Sequence, residues 1–310
     1  MIVFGPVPSR RLGRSVGINN IPAKVCSYSC VYCQLGRSIK MTEERKEFFS
    51  PREIFEKVNE KIKKIKTKGG KIDYLTFVPD GEPTLDRNLG TEIDLLKKTG
   101  IKVAVITNAS LIWREDVQSD LMKADLVSLK IDAVDKEVWR KIDRPYATLN
   151  LDMILKGIMQ FSMKYKGKLI TETMLVKGLN DTPKCLEEIS GFLRGVKAAA
   201  AYISIPTRPP AEKYVFPPDE EKINLAYQIF GKNLEIVEYL IDYEGNKFDT
   251  TGELKEEILN ITSVHPMKKE AVQELLEKAD ENWNLIEEML LKQELVETIY
   301  QGETFYLRKF

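Results

Sequence analysis

CSYSCVYCQ, residues 26–34, holds three of the four cysteines in a chain of 310 residues. Cys26, Cys30 and Cys33 stand in the spacing C-x3-C-x2-C. A disulfide between two of them does not suit a reducing compartment, and four cysteines in so long a chain are no disulfide framework. Structural zinc takes about four ligands, arranged as paired cysteine knuckles or completed by histidine. The single histidine, His265, is far along the chain, and Cys185 lies in TPKCLEEISGFL, which reads as a capped helix. Three thiolates suit a cubane iron–sulfur cluster with one iron left open, and the open iron can bind a second molecule.

Outward from this stretch, 43% of residues are hydrophobic and the formal net charge is zero, with a pI near 6.7. This allows a substantial core and excludes a broadly basic surface of the kind that coats nucleic acid. No apolar run approaches the roughly 18 residues of a membrane span. In MIVFGPVPSRRLGRSVGI the basic residues follow the apolar ones, unlike a secretory signal. A cytoplasmic protein without membrane contact is expected.

SVGINNI (15–21) reads as a strand leading into the cysteine loop. SPREIFEKVNEKIKKIK (50–66) opens with Ser-Pro and carries Glu53 three residues after Ser50, a helix start. Strands are expected at 71–78, 101–107, 125–131, 168–176 and 200–206. Helical periodicity falls at 88–99, 114–123, 135–141, 150–165 and 182–195. This alternation calls for a parallel sheet with right-handed crossovers. Periodicity alone leaves a barrel and a doubly wound sheet equally open.

The C-x3-C-x2-C loop after a first strand resembles the radical S-adenosylmethionine (radical SAM) superfamily. The resemblance implies an α/β fold, a partial (β/α)6 barrel. It implies a [4Fe–4S] cluster on Cys26, Cys30 and Cys33 as catalytic centre, with SAM as second cofactor. The open iron would chelate the amino and carboxyl groups of SAM. An electron, from a donor such as a flavodoxin or ferredoxin, would then yield methionine and a 5′-deoxyadenosyl radical that takes hydrogen from substrate.

In parallel barrels the site lies where the strands end. PDGEPTL (79–85) is either a plain turn or, as the resemblance implies, the loop that binds the SAM amino group through Asp80, Gly81, Glu82 and Pro83. The family form is GGEP, so Asp80 is also a candidate substrate-side group. TNASL (107–111) offers Asn108. In LVSLKIDAVD, Ser128 and Lys130 share a face, and the resemblance sets them beside the SAM ribose and carboxylate. Asp132, on that face too, could pair with Lys130. Tyr32 is placed near the adenine. VKGLNDT (176–182) reads as a helix cap.

Arg208 in IPTRPP either anchors its loop or binds an anionic substrate group. Arg10, Arg11 and Arg14 are either a solvated basic segment or contacts to a phosphate or acidic substrate. FGPVPSRRLGRSVGI together with CSYSCVYCQLG resembles a prokaryotic group of iron–sulfur oxidoreductases related to wyosine synthetases, which modify a guanosine in tRNA. Those synthetases carry further cysteines for a second cluster, whereas one spare cysteine remains here. The substrate is thus open among RNA, a protein side chain and a metabolite. Residues 1–218 are read as the barrel and 219–250 as a connector of one helix and one strand. Residues 251–310 are read as three helices, the second being HPMKKEAVQELLEKA, and a hairpin turning at Gln301-Gly302, a winged-helix-like domain whose third helix is acidic. A cluster serving as a redox sensor with that domain as output is the non-catalytic alternative.

Overall fold

The computed structural model describes residues 2–241, 254–264 and 266–309. His265 and the glycine at position 252, where the C-terminal pattern was expected to begin, lie outside the described residues. The first strands are β1 (Val3–Ser9), β2 (Gly13–Ile18), β3 (Val25–Cys26) and β4 (Lys40–Met41). The repeat continues through α1 (Pro51–Thr67), β5 (Tyr74–Phe77), α2 (Leu89–Lys97), β6 (Lys102–Thr107), α3 (Glu115–Leu121) and β7 (Leu126–Lys130). It goes on with α4 (Lys136–Ile142), α5 (Leu151–Lys164), β8 (Lys168–Met174), α6 (Pro183–Leu193), β9 (Ala200–Ser204), α7 (Glu220–Gly231) and β10 (Val237–Leu240).

One sheet runs β1-β2-β5-β6-β7-β8-β9-β10. Only β1 is antiparallel to its neighbour. The sequence reading missed β1, whose prolines and glycine obscure its alternation. The helix and strand expected between 219 and 242 appear as α7 and β10, and β10 extends the same sheet.

Strand alternation sorts two cores. Val103 and Val105, Val127 and Leu129, and Ala201 and Ile203 face the helices. Ala104, Leu126, Ile170, Ala200, Tyr202 and Leu240 form a separate inner cluster, completed by Leu12 from the β1–β2 turn. An inner core enclosed by a sheet is the mark of a curled sheet, and it decides for the half-barrel over the doubly wound form. Arg10, in the same turn, donates to the Tyr239 carbonyl on the opposite edge (3.4 Å). A side chain therefore spans the gap that main-chain pairing leaves open.

A buried acid pair lies under the loop after β5. Glu92 and Asp86 are fully buried, and Asn20 Nδ2 donates to Glu92 Oε2 (3.3 Å). Burial, then the Asp86 charge, pushes the Glu92 carboxyl far above the carboxylate range. The native state therefore keeps a proton that the unfolded chain loses above its ordinary pKa of 4.5. Stability falls as pH rises through that window. Glu92→Gln should flatten this slope. Its gain over wild type, measured by thermal melts at pH about 6 and about 8.5, should widen by at least about 1.4 kcal/mol, one pKa unit's worth.

The C-terminal part comprises α8 (Leu254–Val264), β11 (Met267–Lys268), α9 (Lys269–Lys278), α10 (Asn284–Leu291), β12 (Leu295–Tyr300) and β13 (Glu303–Arg308). Its sheet order is β11-β13-β12, over its own core. The expected hairpin turn is present: Gln301 and Gly302 both have positive φ, 51° and 79°, as a two-residue type I′ turn requires. Met267 and Lys268 were expected to be helical but form β11, because Met267 is buried against β13, paired with Tyr306. This part packs on the barrel: α8 lies against β1, Lys61 pairs with Glu257 (3.7 Å), and Tyr300 Oη donates to the Pro206 carbonyl (2.9 Å).

Candidate active site

The cysteine loop is closed by backbone pairing at its base. Cys26 on β3 is registered with Met41 on β4, and the Thr42 N–H donates to the Cys26 carbonyl (3.1 Å). Farther out, the Val31 N–H donates to the Ile142 carbonyl (2.9 Å) at the end of α4, and the Cys33 N–H to the Cys30 carbonyl (3.1 Å). With these donors satisfied the loop holds its shape without a hydrophobic core of its own.

All three thiols line one cavity of about 310 Å³. Burial raises every one of them; Cys26 is pushed up to about 12, with the Glu82 carboxylate adding to burial. Iron binding must therefore displace protons from these thiols. Among the described residues, no three His, Cys, Asp or Glu side chains converge as ligands of a single ion. Thiols set around a shared cavity suit a polynuclear cluster, in which each thiolate takes a different iron. Two donors approach Cys26 Sγ: the Tyr28 N–H (3.5 Å) and Asn108 Nδ2 (3.6 Å). Such donors tune a cluster's potential.

The loop after β5 packs directly on the cysteine strand. A Cβ on Gly81 would lie 1.9 Å from the Val25 carbonyl oxygen, so only glycine permits this approach. Glu82 is buried, and its carboxylate accepts from Thr84 N–H (3.0 Å), Thr84 Oγ1 (2.6 Å), Thr107 Oγ1 (2.6 Å) and Asn108 N–H (2.7 Å). Glu82 also lines the cavity. Its oxygens already brace the β5 loop to the end of β6, because the buried donors of TNASL need an acceptor. Asp80 lines the cavity, and burial lifts its carboxyl to about 7. Pro83 is buried at the start of a 3-10 turn and does not line the cavity.

Asn108 lines the cavity, with Nδ2 donating to Ser27 Oγ (2.9 Å). Ala109 has a φ of 63°. Lys130 reaches the cavity from the end of β7, but Ser128, two residues deeper on the same face, does not. Lys130 Nζ pairs with Glu172 Oε1 (3.0 Å), not with Asp132. Desolvation works against its charge, but Glu172 and then Asp132 outweigh that and raise its pKa. Asp132 instead accepts from Tyr32 Oη and from the Met174 N–H (2.7 Å). The Tyr32 ring lies under Lys130 Nζ, 4.9 Å from centroid to nitrogen.

The arginines separate. Arg11 rises from the β1–β2 turn into the barrel and bonds to Glu172, also lining the cavity. Arg10 and Arg14 are exposed and do not line it. The turn lies at the opposite end of the strands from the cysteine loop, and of the three only Arg11 points inward. Arg208 lines the cavity and donates to Gln34 Oε1 (3.1 Å). Thr182 caps α6 as expected, accepting from the Cys185 N–H (3.3 Å).

Glu172 was missed by the sequence reading. Burial opposes its ionisation, but Arg11 and Lys130 dominate and bring it down to about 2. The signal was present: a glutamate inside the apolar strand KLITETMLV, on the face shared by Ile170 and Met174.

The model of the Radical SAM superfamily matches residues 20–193. UPF0026 protein MJ1312 of Methanocaldococcus jannaschii is 49% identical over 99% of this chain and 96% of its own length. A UPF0026 protein of Helicobacter pylori strain 26695 is 36% identical over 68% of each chain. The fold is shared with a radical SAM methyltransferase from Sphaerobacter thermophilus: TM-score 0.55, 16% identity, 74% of this chain and 66% of that one. It is also shared with TYW1 bound to a lysine-pyruvate adduct: TM-score 0.52, 18% identity, 71% of this chain and 74% of that one. With its three thiols at one cavity, the chain belongs to the radical SAM superfamily, enzymes that use a [4Fe–4S] cluster and SAM, and within it to the UPF0026 proteins.

Proposed function

We propose that the chain is a complete radical SAM enzyme in which Cys26, Cys30 and Cys33 hold the cluster. Tyr32, Gly81, Asn108 and Lys130 would form the walls of the SAM site. One observation carries this reading: the thiols, the loop after β5, Asn108 and the Lys130–Glu172 pair line a single cavity. A redox sensor needs the cysteines but none of the rest. When bound, the reduced cluster supplies the electron that cleaves SAM to methionine and a hydrogen-abstracting 5′-deoxyadenosyl radical.

The protein's part is placement and exclusion of water. Lys130 keeps its charge through Glu172, and an ammonium has three donors, so further donors remain for a carboxylate. Asn108 is oriented by Ser27, and Glu82 locks the two loops that frame the opening. A reductant such as a flavodoxin or ferredoxin supplies the electron. Among the described residues no helix is long and apolar enough to cross a membrane.

The test is anaerobic reconstitution followed by reduction with SAM present. Wild type should form 5′-deoxyadenosine, and Cys30→Ala should lose at least about nine-tenths of its iron and product, since the thiolate is an obligatory ligand. A Cys30→Ala protein with normal iron and normal SAM cleavage would sink the assignment.

For the substrate, tRNA is one reading, supported by the likeness of FGPVPSRRLGRSVGI to the wyosine-synthetase-related group. A protein side chain or small metabolite is the second. The C-terminal topology of three helices with a three-stranded sheet supports a winged helix. Its α10 carries Glu287 and Glu288, a charge that repels phosphate. Its contacts to the barrel support a role in covering the site.

A further inference from the structure

Arg45 brings a charge into the interior beside the cavity but does not line it. Its side chain is 6% exposed. Nε donates to the Thr84 carbonyl (2.8 Å) and Nη2 to the Asp86 carbonyl (2.8 Å). Nη1 pairs with Asp116 (2.7 Å) and Nη2 with Asp120, both on α3. A buried cation is costly unless it is paired and hydrogen-bonded. Here all three nitrogens have partners, so the planar fork of the guanidinium acts as a joint and not as a stray surface pair.

The joint unites three segments that frame the cavity. Arg45 follows β4, whose Met41 is registered with Cys26 and whose neighbour Thr42 donates to the Cys26 carbonyl. Thr84 and Asp86 belong to the turn that continues the loop after β5, and Asp80, Gly81 and Glu82 of that loop line the cavity. Helix α3 follows TNASL, which supplies Asn108. The main chain adds two bonds here: the Lys46 N–H donates to the Leu85 carbonyl (3.0 Å) and the Arg87 N–H to the Lys46 carbonyl (3.1 Å). Glu82 thus fastens the loop after β5 to the end of β6, and Arg45 fastens it separately to the segment after β4 and to α3.

We infer that Arg45 is a positioning residue for SAM: by holding the Thr84 and Asp86 carbonyls it keeps the loop after β5 in the conformation that receives the cofactor. The inference rests on the cavity being the SAM site, as proposed above. The arginine acts through the loop and touches no ligand. Apparent affinity scales with the fraction of molecules whose loop is seated, so a loop in place about a tenth of the time binds about tenfold more weakly. Saturating ligand reseats the loop, and turnover with SAM bound is then nearly unchanged. Cys26 keeps its pairing with β4, so iron binding does not depend on the arginine.

The test compares wild type and Arg45→Lys as reconstituted full chains. Lysine keeps the charge between Asp116 and Asp120, but a single ammonium cannot reproduce the fork that reaches both carbonyls. SAM affinity by equilibrium dialysis should fall at least about tenfold, with iron per chain unchanged. At saturating SAM the rate of 5′-deoxyadenosine formation should return to within about threefold of wild type, an effect on KM and not on kcat. Should Arg45→Lys fold poorly, Asp120→Asn, which loosens the joint at nearly constant shape, should show a smaller loss of the same kind. Leu193→Ala controls for general loosening. It opens the core at the C-terminal end of α6, away from the strand ends, and should keep wild-type SAM affinity. Wild-type affinity in both Arg45→Lys and Asp120→Asn overturns the inference. So does a rate that saturating SAM does not restore, iron lost in proportion to affinity, or an equal loss in Leu193→Ala. Each of these results leaves 5′-deoxyadenosine formation by wild type, the test of the enzyme reading, unaffected.

Discussion

Gly81→Ala is expected to strip the protein of its cluster while leaving most of the fold in place. The new methyl carbon would lie 1.9 Å from the Val25 carbonyl oxygen, 2.9 Å from Val25 C and 2.9 Å from Ile21 Cδ1. Two of these are backbone atoms, so no rotamer change relieves the contact. The loop must lift from the strand that ends in Cys26, losing the bond from the Glu82 N–H to the Val25 carbonyl (3.3 Å). Glu82 would then be pulled from Thr107 and Asn108. The overpacking cost is about 1–3 kcal/mol, concentrated where the first thiol must be placed to within a fraction of an ångström. Iron per chain after reconstitution should fall about tenfold, with the far-ultraviolet dichroism little changed. Gly191→Ala is the control. Gly191 is exposed on α6 with nothing within 4 Å of its Cβ position, so iron content should match wild type. Its stability should rise by about 0.5–1 kcal/mol.

Glu172→Gln should be the most destabilising change in the barrel interior. The carboxylate joins Lys130, Arg11 and Ser204, and its loss leaves two half-buried cations without their nearest counter-charge. Breaking one side of such a group costs about 3–5 kcal/mol. The pH dependence identifies the cause. Glu172 titrates natively at about 2, below its ordinary 4.5. Its contribution is therefore complete above about pH 4.5 and is lost as pH falls toward 2. The gap between wild type and Glu172→Gln in urea melts should be widest near neutral pH and shrink on acidification through that window. A gap that stayed constant would mean that packing, not charge, sets the cost. SAM affinity should fall with it, because Lys130 loses the partner that fixes its ammonium in the cavity wall.

The charged strand positions show how far one-dimensional reading carries. Lys130 stood out because a lysine in LVSLKI breaks an apolar run, and period-2 alternation put it with Ser128 on one face. Both face inward, yet only Lys130, at the strand end, reaches the cavity. Its partner could not be found the same way. Asp132 is two residues away in sequence, while Glu172 is 42 away and becomes a neighbour only because β7 and β8 pair in the register Lys130 to Glu172. Arg11 shows the same limit more sharply. The sequence sets it among three arginines, and only the turn's position beneath the curled sheet distinguishes the one that points inside. Gln301-Gly302 needed no such help, since a two-residue turn is specified by the φ values its own residues tolerate.

The sequence by itself determined the chemistry and the repeat: three closely spaced thiols, a Pro-Asp-Gly turn after a strand, and strands alternating with helices. Each is a local property, set by residue type and by spacing of a few positions. Only the tertiary structure decided that the sheet curls, that Glu82 braces loops, that Arg11 and Glu172 meet inside, and that Arg45 fastens the loop after β5. Those outcomes depend on which distant strands share a register and which buried donors and acceptors find one another first. Pairings of that kind are settled by the closing of the whole chain around its core.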